Sequence, residues 1–377
     1  MAPRPVHLRR LWPARGRRVR VAGVFALALA LALAACGTSA PPRVPKPKRL
    51  ALVYRGPHGN LILASAAGSE LRTLGRASQA LVSPDGTRVL ALRDVGSGTA
   101  TLTLYNTNRA GAARVIATLG PPDWAGSTQL LGWSPDSRYV AFTAYTLSST
   151  GEQGVLVVLN TASGQLTTVA TGNFLGGAFA PTLPDRLVYS DATVDQLDNN
   201  ESLLYVTSPS GQGTRRLTRS GLASAPAWSA RGIVFARLLR LGNRSSSPLY
   251  TLSLIQPNGH GRHRLDDFAA GAPAPDAHGA ALVLSANGKR LVADFYSPVA
   301  GSQTIESWAF NLSARHPVAR PLVLPDAGVV AEGISRNGKS ILAAIYGASG
   351  PQIASLRWDG GAARTLASAA SDANWNS

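Results

Sequence analysis

The stretch Trp133–Phe142, WSPDSRYVAF, decides the fold, because a near copy, VSPDGTRVLAL, runs from Val82 to Leu92. In Ser83-Pro84-Asp85-Gly86, proline presets φ at the first central position of a type I turn. Aspartate suits the second, and glycine takes positive φ at the end. Proline there is incompatible with a type I′ turn, so the spacing predicts a three-residue hairpin closed by a glycine bulge. The run Thr87–Leu92 then leaves the turn as a strand.

The turn recurs in altered form. Ser134-Pro135-Asp136-Ser137 precedes RYVAF, and Ala180–Asp185 is an expanded version before RLVY. Ser229-Ala230-Arg231-Gly232, Ser285-Ala286-Asn287-Gly288 and Ser335-Arg336-Asn337-Gly338 each precede an aliphatic strand. The turns start at 83, 134, 180, 229, 285 and 335, at spacings of 46 to 56 residues. That period reads as a radial array of small sheets. A third strand follows in each unit, such as Val155–Leu159, Leu203–Val206 or Leu249–Leu252, then a Gly- or Asn-containing turn and a short fourth strand. Four strands per unit without an amphipathic helix make one propeller blade.

The ends complement each other. Residues 50–75 supply three strands without a first one, and Ser371–Asn376 resembles a first strand with nothing after it. The expected fold is all-β, a β-propeller of seven four-stranded blades. Six is the alternative, since residues 266–326 show the pattern weakly. The expected ring is closed by the C-terminal strand pairing with the N-terminal strands, which removes an exposed edge. The Trp-Ser-Pro-Asp-Gly-type turn before an aliphatic strand resembles the TolB-like, WD-repeat-like propeller family over residues ~50–377. The resemblance implies this fold and an extracytoplasmic, partner-binding role; lipid anchoring departs from the soluble periplasmic protein that gives the family its name.

The formal net charge of +17 is concentrated at the N-terminus. Residues 1–35 hold seven arginines and no acid, whereas from residue 50 onward 26 Lys+Arg face 20 Asp+Glu. That is an ordinary solvated surface, with no dense basic patch interleaved with aromatics, so no nucleic-acid partner is expected. Val21–Ala35 is an apolar run of fifteen residues, the length of a signal h-region and short of the roughly 20 that span a membrane. It ends in Leu33-Ala34-Ala35-Cys36-Gly37, which resembles a bacterial lipobox, and the thiol is the side chain nucleophilic enough to accept a diacylglyceryl group. An uncleaved anchor with an incidental cysteine is the rival. The expected domains are therefore a signal peptide over 1–35, a lipidated Cys36 with a tether over 36–49, and the propeller over 50–377.

Cys36 is the single cysteine, so neither an internal disulfide nor a cysteine-based metal site is expected. Residues 37–49, GTSAPPRVPKPKR, read as an extended linker reaching ~40 Å at about 3.1 Å per residue. Its four positive charges either lie against anionic headgroups, at about 1 kcal/mol each, or are simply solvated.

The sequence shows no catalytic constellation. Gly-x-Ser-x-Gly is absent, and Asp85-Gly86 adjacency differs from a sialidase box. His260 and His263, with Asp266 and Asp267 nearby, read as an exposed turn rather than a metal site. The acidic segment Asp191, Asp195, Asp198, Asn199, Asn200, Glu201 lacks the spacing and central glycine of a Ca²⁺ loop and reads as a solvated hairpin. Trp133, Trp228 and Trp375 sit late in first strands, where packing between blades is favoured over stacking on a ligand. The expectation is a monomeric, membrane-anchored lipoprotein of the periplasm or outer face of the cytoplasmic membrane. It is expected to be non-enzymatic and without cofactor, binding an envelope protein or peptide. A small-molecule or glycan sensor is the alternative, and a lyase or lactonase comes third, requiring clustered carboxylates or histidines at the channel mouth.

Overall fold

The computed structural model describes residues 51–375 apart from residues 97–98, 109–112, 121–124, 149–150, 184, 194–200, 241–248, 270–279, 286, 300–301, 315–316, 325–326, 336 and 362. The expected signal peptide, Cys36 and the tether lie outside the described residues, as do His278, His316 and Asp195–Asn200.

The strands follow one another in chain order. The first three are β1 (Ala51–Arg55), β2 (Asn60–Ser65) and β3 (Glu70–Arg76). Next come β4 (Gln79–Val82), β5 (Arg88–Gly96), β6 (Thr99–Asn106) and β7 (Arg114–Leu119), then β8 (Ala125–Trp133), β9 (Tyr139–Ser148), β10 (Gly151–Asn160) and β11 (Leu166–Thr171). The middle of the chain gives β12 (Phe174–Phe179), β13 (Leu187–Thr193), β14 (Glu201–Thr207), β15 (Arg215–Arg216), β16 (Leu222–Ser229), β17 (Gly232–Arg240), β18 (Leu249–Ile255) and β19 (His263–Ala269). It ends in β20 (Ala280–Leu284), β21 (Arg290–Val299), β22 (Ser302–Asn311), β23 (Ala319–Pro321), β24 (Ala327–Ile334), β25 (Ser340–Gly347), β26 (Gly350–Arg357), β27 (Arg364–Ser368) and β28 (Ser371–Trp375).

The all-β propeller of four-stranded blades is what forms, but its count differs from the sequence reading. Five separate four-stranded sheets, β28-β1-β2-β3, β4–β7, β8–β11, β20–β23 and β24–β27, are the blades. Strands β12 to β19 share one eight-stranded sheet in which Ser202 of β14 pairs in parallel with Leu222 of β16. The expectation of seven blades, or six, is corrected to these five. The cause is local: β15 is two residues long, so beyond it β14 bonds to the chain leading into β16, with Leu217 N–H donating to Leu204 O and Ser202 N–H to Gly221 O, and the parallel pair Ser202–Leu222 then joins the two halves. The two chain ends do meet, with Leu52 of β1 opposite Trp375 of β28. That ladder lies within one sheet and no closed ring is found, so the expected ring closure is corrected as well.

The repeated turn forms as its chemistry dictates. Gly86 N–H donates to Ser83 O at 2.8 Å with φ at 68°, and Ser83 N–H donates to Arg88 O at 2.9 Å. Ser83 Oγ donates to Asp85 Oδ1 at 2.6 Å and accepts Arg88 N–H at 3.0 Å. The hydroxyl is buried, so it must be satisfied both as donor and as acceptor, which the aspartate and the backbone do. Ser134–Asp136, Ser285–Asn287 and Ser335–Asn337 repeat the bond at 2.6, 2.9 and 2.9 Å. Ser137 holds φ at 61° where the other copies use glycine; its Oγ then accepts Asp85 N–H from the neighbouring turn at 3.2 Å.

Arginines tie unit to unit. Arg72 in β3, Arg114 in β7, Arg215 in β15 and Arg320 in β23 each donate to a backbone carbonyl at the end of, or just after, the third strand of the next unit, at Asn106, Thr161, Asn258 and Trp358. Arg88 and Arg290 likewise reach Ser137 O and Gly338 O in the next unit's first turn. A turn leaves carbonyls without a ladder partner, and a guanidinium with five donors satisfies them at a distance. Aliphatic faces fill the seams, as where Leu90, Leu92 and Leu102 pack on Val140, Phe142 and Val157.

Candidate functional site

Sequence reading singled out three tryptophans, and all three pack between strands. Trp133 lies against Leu81 and the core of its seam, its Nε1 donates to Leu81 O at 3.2 Å, and the Arg88 guanidinium stands 5.4 Å over its ring. Trp228 packs on the cluster around Phe235. Trp375 is 6% exposed, and its Nε1 is buried without a partner against Gly333, where an added Cβ would come within 2.6 Å. His260 lies in an exposed turn after β18, the exposed His263 begins β19, and Arg264 pairs with Asp267 beside them. Asp191 is held by Asn173 N–H at 2.8 Å, and burial raises its carboxyl despite that bond. Among the described residues, no group of three or more His, Cys, Asp or Glu is placed to hold a metal ion.

The structure assembles a different set, on the first strands of adjacent sheets. β24 and β28 touch, and both carry a register break, between Ala331 and Gly333 in one and opposite Val53–Arg55 in the other. A bulge re-aims side chains that a regular strand would alternate. The first break falls at Glu332, and Asp372 takes φ at 48°, in the left-handed region that costs a non-glycine residue about 1 kcal/mol or more. Asp372 Oδ2 meets Arg55 Nη2 at 2.5 Å, with the two side chains 43% and 40% exposed. Ser371 Oγ lies between them, accepting from Arg55 at 3.1 Å and donating to Asp372 at 2.8 Å. At that exposure the pair contributes about 1 kcal/mol at most, so its interest is chemical rather than structural.

Glu332 is the unusual member. Burial pushes its carboxyl up to about 8, and the negative charges of Asp372 and Asp294 add to the effect. Tyr346, half-exposed near the end of β25, is raised by burial and by the charges of Asp372 and Glu332. Behind them lies Asp294 in β21, 0% exposed and pushed up to about 7 by burial, against opposing hydrogen bonds from Ser307 and Ala331. Its Oδ2 accepts Ala331 N–H at 3.1 Å, and its Oδ1 is bonded to Ser307 Oγ, which also lies 2.5 Å from Val329 O. A hydroxyl has one hydrogen for these two acceptors. A protonated Asp294 resolves the conflict by donating to Ser307, whose own hydrogen then goes to Val329.

The cluster thus combines a proton-holding glutamic acid, a fixed cation and an ionised aspartate facing solvent. It can grip a polar ligand carrying both signs of charge, and Glu332 can give or take a proton near neutral pH. Sequence reading missed it because Glu332 and Asp372 are solitary acids in unrelated segments, joined only when the last strand pairs with the first.

Comparison with protein-family models finds no match, and comparison with curated proteins finds none either. Solved structures do match in shape. An oligogalacturonate lyase in complex with manganese is 13% identical with a TM-score of 0.56, over 78% of this chain and 81% of that one. The β-propeller domain of the Trilobed protease from Pyrococcus furiosus is 10% identical with a TM-score of 0.55, over 81% and 86%. TolB from Acinetobacter baumannii is 17% identical with a TM-score of 0.48, over 77% and 67%. At these identities the likeness shows the propeller fold alone. The expectation that the chain is not an enzyme is corrected to this extent: an oligogalacturonate lyase and an acylaminoacyl peptidase share this fold, so the propeller itself does not exclude catalysis.

Proposed function

We propose that the chain is an extracytoplasmic lipoprotein, attached through Cys36, whose propeller binds an envelope peptide or protein at the Arg55, Glu332, Tyr346 and Asp372 cluster. The observation that carries this reading is the half-exposed Arg55–Asp372 pair standing beside a glutamic acid that keeps its proton. Arg55 suits a ligand carboxylate, and Asp372 suits an ammonium or guanidinium, so a peptide with neighbouring charges of opposite sign fits. A small polar molecule or glycan fits the same donors and is the alternative occupant. In-cell crosslinking of the full-length protein, followed by mass spectrometry, tests the reading. One dominant partner that is retained by wild type and lost by Asp372→Asn supports it; equal recovery with both rejects the site.

A second reading has its own observation. A carboxyl pushed up to about 8, with the Arg55-paired Asp372 as its charged neighbour, is suited to proton transfer, as in lyase or lactonase chemistry. Turnover of an oligouronate or lactone that disappears in Glu332→Gln would favour this reading over binding alone.

A further inference from the structure

One end of the strands carries a basic rim. The turns after first strands and the turns after third strands both lie at this end, and bonds between neighbouring units join them. Ser137 Oγ accepts Asp85 N–H, Arg290 reaches Gly338 O, and Arg114 reaches Thr161 O at 2.9 Å. Exposed on this rim are Arg138, Arg231, Arg262, Lys289, Lys339 and Arg364. Several arginines here donate to carbonyls, which hold the side chain without cancelling its charge.

The acids at the same end among the described residues do not balance them. Asp85 and Asp136 point into their own turns, where they accept from Ser83 and Ser134. Asp359 pairs with Arg357, Glu70 accepts from Thr73, and Asp185 stands next to Arg186. The cluster carboxyls Asp294, Glu332 and Asp372 lie within the strands instead. Counted with Arg88, Arg114, Arg186, Arg290 and Arg357, the bases at this end outnumber the acids Glu70, Asp85, Asp136, Asp185 and Asp359 among the described residues.

The chain enters the propeller at this rim. The first residue of β1, Ala51, pairs with Ser65, which opens the turn from β2 to β3. The sequence just before it is Arg43-Val44-Pro45-Lys46-Pro47-Lys48-Arg49. A tether of this kind reaches ~40 Å at most when extended. The surface to which it is attached and the basic rim are thus kept within reach of each other, and an anionic bilayer attracts Lys and Arg over a Debye length.

We propose that the turn rim of the propeller is a docking surface for anionic lipid headgroups, which seats the domain on the membrane with the opposite strand ends directed outward. The proposal rests on the anchoring reading for the closeness of the membrane, and on the rim's own charge for the docking.

The test uses the full-length protein, extracted from membranes and reconstituted in vesicles of phosphatidylcholine with or without phosphatidylglycerol. Single cysteines for spin labelling are introduced as Ala230→Cys on the rim or Val95→Cys at the far end of β5, the lipidated Cys36 being unreactive. Relaxation by a nickel-chelating lipid reads proximity to the bilayer. The expected result is strong relaxation at Ala230 and none at Val95, on phosphatidylglycerol vesicles only. The effect should fall roughly tenfold or more in the Arg138→Glu, Lys289→Glu, Lys339→Glu triple variant, and be lost at ~0.5 M salt. A triple Gln variant with an unchanged urea midpoint controls for folding. Equal relaxation at both labels, or no dependence on lipid charge, overturns the proposal. So does binding of the rim to a soluble wall polyanion in preference to the vesicles. The mass of the N-terminal peptide separates the two readings. A chain without lipid whose rim label still approaches anionic vesicles removes the anchor and keeps the docking; a lipidated chain with both labels remote does the reverse.

Discussion

Asp294→Asn is expected to flatten the pH dependence of stability. The folded state holds the proton of this buried carboxyl more tightly than the unfolded chain does, moving it from 3.8 to about 7. A raised acid contributes stability that is fully present below about pH 4 and is lost as the pH rises through about 7. At about 1.36 kcal/mol per unit, that shift corresponds to roughly 4 kcal/mol across the window. Glu332, raised from 4.5 to about 8, acts with the same sign and extends the loss upward. An asparagine imitates the neutral acid: its Nδ2–H donates to Ser307 while its Oδ1 accepts Ala331 N–H. The variant should match wild type only below about pH 4 and exceed it by a margin that grows as the pH rises to about 7, with Glu332 supplying the remaining slope. Urea unfolding midpoints at intervals between pH 5 and 8 read the difference directly. Parallel curves for the two proteins would refute the assignment of the proton to Asp294.

Other expectations follow from the same packing. Gly333→Ala places a Cβ 2.6 Å from Trp375 Nε1 in a buried seam, and should cost about 1–3 kcal/mol in unfolding free energy. Trp375→Ala should cost about 3–5 kcal/mol and expose the edge of β1 to other chains, visible as aggregation in light scattering. Ser134→Ala removes the buried hydroxyl that accepts Tyr139 N–H at 2.9 Å and holds Asp136, and should lose about 1–3 kcal/mol by denaturant titration, whereas the same change at the exposed Ser163 should be nearly neutral. Cys36→Ser should abolish processing, so the protein keeps residues 1–35 in intact-mass measurement.

The hairpin repeat was legible because its chemistry is local: Ser83 and Asp85 make the turn with each other, so copies at Ser134, Ser285 and Ser335 look alike. The blade count was not, because it depends on how far each outer strand extends. Arg215-Arg216 reads like any fourth strand, and its two-residue length, which joins β14 to β16, is a property of the folded edge. The arginine ties escaped notice because their acceptors are backbone carbonyls, which leave no residue signature; the chain's excess of arginine read as solvated surface. Trp133, Trp228 and Trp375 were placed correctly in seams, since a large apolar ring late in a first strand has only the neighbouring sheet to cover it. Glu332 and Asp372 carried no pattern. Their meeting depends on two register breaks and on the terminal strand, all of them long-range consequences of the fold.

The most direct test of the account is photo-crosslinking from the cluster itself. A photoreactive phenylalanine analogue in place of Tyr346, beside Glu332 and Asp372, is compared in living cells with the same residue in place of Leu71, which is 62% exposed on β3. The account predicts one dominant adduct from position 346, diminished by Asp372→Asn, and no counterpart from position 71. The same products from both positions, or none from 346 in cells where the protein is abundant, would contradict it.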